Sequence, residues 1–281
     1  MEHKQNQAGF HYIILLLLIM TIAVIGLVGW KVFSHKKSPK SEAVISTSAS
    51  TSFSQKATSQ PPKQYDQNTA VRKDECKSNP NAKFSHDFSE PDKISIISPP
   101  KITETEVRDR AWPAVDRTKT DKVAIYAPAD VDATSGVYKV SKTIENIDYD
   151  FWFQLSCERW FFINHISDPV DKLSKLVANT PQTNETSGGS SATANRTQFE
   201  PIVHFKSGEL IGYAKGTSLS HQFDLGVFDV NHQNQLPANY QTSGREKNFI
   251  CPFDLFPDNI KAQYYAILAR SPKEAGSICP Q

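Results

Sequence analysis

The sequence predicts a mainly β domain preceded by an N-terminal transmembrane helix and closed by a C-terminal α-helix. Three observations carry this reading. Residues Tyr12 to Trp30 form 19 consecutive uncharged positions. Apolar residues in the body recur at period two, the spacing of strands. Only two short stretches of the body change to helical spacing, and the longer one lies near the C-terminus.

The uncharged run (YIILLLLIMTIAVIGLVGW) would extend roughly 28 Å as a helix, close to the hydrocarbon thickness of a bilayer. It is longer than a signal-peptide core and has no small-x-small cleavage site after it. Its apolar residues face every direction, and Tyr12 and Trp30 occupy the interfacial positions. It therefore reads as an uncleaved single-span anchor within residues 1–35, with the bilayer as a partner. Charge divides on either side of it. Residues 1–40 hold five lysines and one glutamate, net +4, and the rest holds 26 basic and 29 acidic residues, net −3, which together give the +1 of the chain. A mildly acidic body without a basic stripe excludes nucleic acid as its partner. The positive-inside rule alone would put the body in the cytoplasm, but long translocated domains follow that rule weakly. A Ser/Thr-rich stalk and an even cysteine count favour a cytoplasmic N-terminus and an extracytoplasmic body.

The stalk covers residues 36–72, with 10 Ser or Thr among residues 41–60 and too few large apolar residues to bury a core. The body spans 73–281, interrupted by a polar insertion at 179–196. Its cysteines, Cys76, Cys157, Cys251 and Cys279, lack the close spacing of a zinc ribbon or thioredoxin-like site. They are either buried thiols or one or two disulfides, with three pairings open. Cys76 and Cys279 flank the body and would suit stapling its ends.

The strands follow in order. Val123–Ala127 ends at Pro128, and Gly136–Val140 comes next. In Tyr149–Cys157, Tyr149, Phe151, Phe153, Leu155 and Cys157 share one face, while Asp150, Trp152, Gln154 and Ser156 share the other. Arg159–Ile166, Pro201–Lys206, Glu209–Ala214 and Gln222–Val230 are each bounded by turn residues. One helix is predicted over Asp168–Ala178, with Asp168 as N-cap, Pro169 at its first position and Val170, Leu173 and Val177 on its buried stripe. The other runs from Pro257 to Arg270 and buries Ile260, Tyr264, Ile267 and Leu268.

Four pieces of the body form an ordered series. Ile125–Asp130 (IYAPAD) is similar to a "V-x-A-P-x-D-G" strand and turn, and Phe161–Ile166 (FFINHI) to a strand carrying "Y-x-H-L". Val203–Gly212 (VHFKSGELIG) is similar to "V-K-x-G-E-x-I-G", and His221–Val227 (HQFDLGV) to "H-L-H-F-E-V". Over about residues 110–230 this order resembles the lysostaphin-type (LytM-like) peptidoglycan endopeptidases. The resemblance implies a duplicated-hybrid-motif fold, an antiparallel β-barrel or sandwich. In its most specific piece, Gly212 would allow a close backbone approach.

Such a family would also imply zinc that activates water for peptide cleavage. The family's aspartate ligand would fall on Asp116, and Trp112 stands in the histidine slot four residues earlier. The ligand histidine of the last motif falls on Asp224, the first histidine of that pair on Gln222, and His221 is displaced by one residue. His165 keeps the histidine of "Y-x-H-L", which the resemblance makes a catalytic partner. An indole cannot ligate zinc, and two carboxylates do not form the nitrogen-rich site zinc prefers. Asp116, Asp224 and His221 are thus the metal candidates of a degenerate site, and no cofactor is expected unless that altered set still holds zinc. His86 with Glu90 reads as a solvated loop, and Asp229 has the opposite strand parity to Asp224. Trp152, beside Asp150 and Gln154, would suit sugar stacking on an exposed sheet, although core packing is favoured.

The reading is a membrane-anchored envelope protein with a catalytically inactive metallopeptidase-like domain. It would bind peptidoglycan or regulate a cell-wall hydrolase through a groove lined by Trp112, Asp116, His165, Gln222 and Asp224. An active zinc endopeptidase with altered ligands is the first alternative. A purely structural envelope domain is the second.

Overall fold

The structure, a computed structural model, describes residues 71–141, 146–178, 197–217, 220–242 and 244–281. The predicted span at 12–30, the stalk as far as residue 70 and the insertion at 179–196 lie outside these residues. Among the described residues no helix is long and apolar enough to cross a membrane.

The strands are β1 (Ile94–Ser98), β2 (Lys101–Ile102), β3 (Val107–Arg108), β4 (Trp112–Val115), β5 (Val123–Tyr126) and β6 (Val131–Ser141). They continue as β7 (Asn146–Gln154), β8 (Arg159–Pro169), β9 (Thr197–Phe205), β10 (Leu210–Ala214), β11 (Asp224–Asp229) and β12 (Phe249–Ile250). The helices are α1 (Asp171–Ala178) and α2 (Asp258–Arg270). The main sheet runs β12-β11-β8-β7-β6-β9, and β10 joins β8 to β5. Two small sheets pair β1 with β4 and β2 with β3, and all these pairings are antiparallel. The mainly β, antiparallel class follows the expectation, while no sheet among the described residues closes into a barrel.

The alternation in β7 and β8 sends side chains into two separate cores. Phe151, Phe153, Phe161 and Ile163 join α1 residues Leu173 and Val177 and α2 residues Ile260, Tyr264, Ile267 and Leu268. Phe153 and Phe161 stack there with centroids 4.9 Å apart. The opposite face is also covered. Trp152, Trp160, Phe162, Phe228 and Phe249 pack with Val71 and Val137, and Trp160 stacks on Phe228 at 4.0 Å. Trp152 is only 6% exposed, so it is part of this second core and offers no sugar platform. The polar neighbours that suggested an open face, Asp150 and Gln154, are buried with it.

Two boundaries differ from expectation. Asp168 and Pro169 belong to β8 and do not cap a helix: they pair with Tyr213 and Gly212 of β10, and α1 begins at Asp171. Proline is tolerated where a strand ends, and the Asp168 carboxylate is engaged by Lys122 at 3.0 Å. The folded body also starts before residue 73. Val71 and Arg72 are buried, and the Arg72 guanidinium donates to the Phe199 carbonyl at 2.9 Å and pairs with Glu200 at 2.9 Å. At Gly212 the expected close approach is present: an added Cβ would meet the Asp168 carbonyl and Pro169 Cα, each at 2.7 Å.

The cysteines form Cys76–Cys157 and Cys251–Cys279, and no free cysteine is left. Each end of the body is stapled, but to an interior partner. Cys76 ties the entering chain to the β7–β8 turn, and Cys279 ties the tail to the segment before α2.

Two outcomes follow from this packing. Gly212→Ala should cost about 2–3 kcal/mol in denaturant unfolding, because the obstructing atoms are backbone. A cost below the error of the measurement would deny the close approach. Loop-entropy arguments give about 3.5 kcal/mol for the Cys251–Cys279 closure and about 4.5 kcal/mol for Cys76–Cys157. Non-reducing tryptic mapping should recover these two pairs, and the double serine variants should rank in that order of loss.

Candidate functional site

The site begins with one extra residue in β8. Phe151 pairs with Ile163 and Tyr149 with Ile166, so Asn164 and His165 together oppose Asp150 alone. This is a β-bulge, and His165 takes up the irregularity in a left-handed conformation with φ 65°. Non-glycine residues rarely adopt such a backbone, and when they do the surroundings hold them there. The surroundings here are explicit. The His165 amide donates to Asp150 Oδ1 at 3.3 Å, and Nδ1 lies 2.7 Å from Asp148 Oδ2.

The bulge also changes the partner of β8. Residues 159–164 pair with β11, and residues 166–169 pair with β10. His165 therefore lies where the two neighbours part. A cleft of about 570 Å³ opens there, lined by His165, Asp224, Gln222, Thr217 and Ser220, by Trp112 of β4, and by Glu106 to Arg110 around β3. Isolated bridges Ala111–Leu225 and Ala114–Gln222 set β4 beside the start of β11, which brings Trp112 opposite Asp224. The Thr217–Gln222 turn is closed by the Gln222 carbonyl accepting from the Thr217 amide at 3.0 Å. Gly216 enters this turn at φ 71°, and a Cβ there would fall 2.1 Å from the His221 carbonyl carbon.

The floor of the cleft is an ion-pair network. Asp224 is 7% exposed, and its Oδ2 accepts from Asn164 Nδ2 and from an Arg110 terminal nitrogen, both at 3.1 Å. His165 Nε2 lies 3.9 Å from the same oxygen. Arg110 Nε binds Asp109 Oδ1 at 2.7 Å, and Asp109 Oδ2 lies 2.9 Å from Arg245 Nε. The Arg110 and Arg245 guanidiniums both lie over the Phe162 ring, at 5.2 and 5.5 Å from its centroid. On the rim, Arg108 stacks on Trp112 at 4.4 Å and pairs with Glu274 at 2.6 Å.

Burial opposes the charge on His165, but the Asp148 hydrogen bond and the charges of Asp224, Asp150 and Asp148 outweigh it, lifting its pKa to about 9. The imidazole is thus an imidazolium at neutral pH. Burial likewise opposes the charge on Arg110, and Asp109 and Asp224 hold it firmly protonated.

Of the residues expected at the groove, Trp112, His165, Gln222 and Asp224 come together, and Asp116, His221 and Trp152 do not. Asp116 stands at the end of β4, about 13 Å of strand beyond Trp112. Its carboxylate accepts from Thr118 Oγ1 at 2.6 Å and pairs with Lys119 at 3.3 Å. His221 is consumed by the turn, with φ 54°, its amide on Thr217 and its carbonyl on Val115. Asp224 is left as one carboxylate already facing a guanidinium. Zinc needs deprotonated ligands, and the imidazole nearest Asp224, that of His165 at 3.9 Å, is an imidazolium. The residues present do not fit a zinc ion. No three His, Cys, Asp or Glu among the described residues are placed to hold a metal.

The residues that sequence reasoning missed are the charged ones: Glu106, Arg108, Asp109, Arg110, Asp148 and Arg245. One signal was legible. In Val107-Arg108-Asp109-Arg110, opposite charges alternate directly before an apolar strand. Compared with known proteins, the chain matches no family model, no curated protein and no solved structure.

The histidine sets a pH dependence. Its folded pKa of about 9 lies above the unfolded value of 6.5, so its contribution is complete below 6.5 and is lost as pH rises through 9. The full effect is on the order of 3 kcal/mol. Unfolding free energy of the wild type should fall across that window, and His165→Gln should flatten the profile. A wild-type profile as flat as the variant's would refute the charged imidazole.

Proposed function

We propose that this is an envelope-facing binding module, built like a lysostaphin-type endopeptidase domain without its zinc chemistry, and that its cleft engages peptidoglycan. The observation that carries the reading is Arg110. Its guanidinium lies 3.1 Å from Asp224, the residue at which the resemblance would put a metal ligand, so an internal cation neutralises that carboxylate. The adjacency of β4 and β11, with Trp112 facing Asp224, supports the resemblance. The two disulfides support an oxidising compartment, and with it the extracytoplasmic placement of the body. Zinc proteolysis is disfavoured, since Asp224 already pairs with Arg110 and its aspartate neighbours hold the His165 imidazole in the charged form. A fixed cleft with engaged charges suits recognition better than turnover.

The test uses the full chain in detergent. Isolated sacculi should retain the wild type, and Trp112→Ala and Gln222→Ala should weaken retention at least roughly tenfold, as expected for residues central to an interface. The preparation should carry no stoichiometric zinc and show no muralytic activity. Stoichiometric zinc lost together with such activity in Asp224→Ala would overturn the proposal. Equal failure of wild type and Trp112→Ala to bind sacculi would also overturn it.

A further inference from the structure

Two polar functions meet at the bulge without meeting each other. His165 Nδ1 is engaged by Asp148, but Nε2 stands 3.9 Å from Asp224 Oδ2, beyond hydrogen-bond reach, and takes no other hydrogen bond among the described residues. Asp224 presents its carboxylate to the same cleft. The pair is a charged donor beside a charged acceptor, and one atom that both accepts and donates would complete it.

We infer that the cleft binds a neutral, polyhydroxylated chain, a saccharide, with one sugar hydroxyl bridging His165 Nε2–H and the Asp224 carboxylate. A hydroxyl oxygen accepts and donates through a single atom, which a carbonyl or an ammonium cannot do. Hydrogen bonds of about 2.8 Å from the imidazolium and about 2.6 Å to the carboxylate close the 3.9 Å gap, with roughly a right angle at the bridging oxygen. Charge points to a neutral ligand. Glu106, Asp109 and Asp224 balance Arg108, Arg110 and the His165 imidazolium, three against three, so the lining has no net charge to offer an ion. Gln222 adds uncharged hydrogen-bonding capacity. Trp112 adds an apolar wall, its ring braced by Arg108 at 4.4 Å. The strained backbone at His165 keeps the donor aimed, because relaxing it would dissolve the bulge.

This inference rests on the cleft being a binding site, and it specifies the glycan rather than the peptide part of the wall. The test is an NMR titration of the full chain in detergent micelles, labelled with ¹⁵N-histidine, with chitotetraose in one arm and amidase-released stem peptide in the other. Chitotetraose should shift the His165 Nε2 resonance saturably, the peptide should leave it in place, and His165→Gln and Gln222→Ala should each weaken sugar binding about tenfold or more. The wild-type resonance is informative even if a variant fails to fold. A shift with the peptide and none with the sugar would overturn the saccharide while leaving peptidoglycan binding intact. Silence in both arms with sacculi still retained would overturn it as well. Silence in both arms together with loss of sacculus retention would remove the binding module itself.

Discussion

The extra residue in β8 is the constraint on which the site depends. An antiparallel ladder with strict pairing would have carried β11 or β10 along the whole edge of β8 and left no gap. The bulge at Asn164 and His165 breaks the ladder after Asp224 and restarts it at Ile166. It increases local twist and turns the two neighbours apart, and the cleft is the space between them. The same irregularity aims both Asn164 and His165 at Asp224. One insertion thus creates the opening and supplies part of its lining.

Electrostatics then fixes the floor. Asp109 and Asp224 are almost fully buried, and a buried carboxylate without partners would be neutralised or would unfold its surroundings. Arg110 answers both at once, with Nε on Asp109 and a terminal nitrogen on Asp224. Its planar fork suits this double contact in a way that a lysine ammonium would not. Such a network adds little net stability over an apolar core of equal volume, but breaking it at one member is costly. Its value lies in rigidity. It holds the Asp224 carboxylate and the His165 imidazolium at their 3.9 Å separation.

How much of this was legible in the sequence follows from which forces act locally. Strand alternation, the buried stripe of α2 and the close approach at Gly212 are written in residue spacing, and they appear where expected. Trp152 shows the limit of the same logic. Its parity was right, but parity names a face without saying whether that face is covered, and here Val71, Phe249 and the β2–β3 hairpin cover it. Asp168 and Pro169 read as a helix start because their local signals are real. Pairing with β10, more than 40 residues later in the chain, overrode them. Trp112, His165, Gln222 and Asp224 were found through an ordered series of motifs. Asp109, Arg110 and Arg245 were not, because ion pairing across more than 100 residues leaves no trace in spacing, and Asp148 was not, because its pairing with His165 depends on the bulge.

The second end of β8 completes the logic. Arg159 lies six residues before His165, which places the two about 20 Å apart along an extended strand. Near the Arg159 end the entering chain is fastened three times. Arg72 donates its amide to Gln154 Oε1 at 2.6 Å, its guanidinium reaches the Phe199 carbonyl, and Cys76 is bonded to Cys157. The attachment point and the cleft therefore occupy opposite ends of one central strand. Tension on the N-terminal segment would be borne by a disulfide and a buried guanidinium beside the β7–β8 turn. It would not load the left-handed His165 or the hairpin carrying Arg108. Force applied at the His165 end would instead open the bulge that makes the cleft.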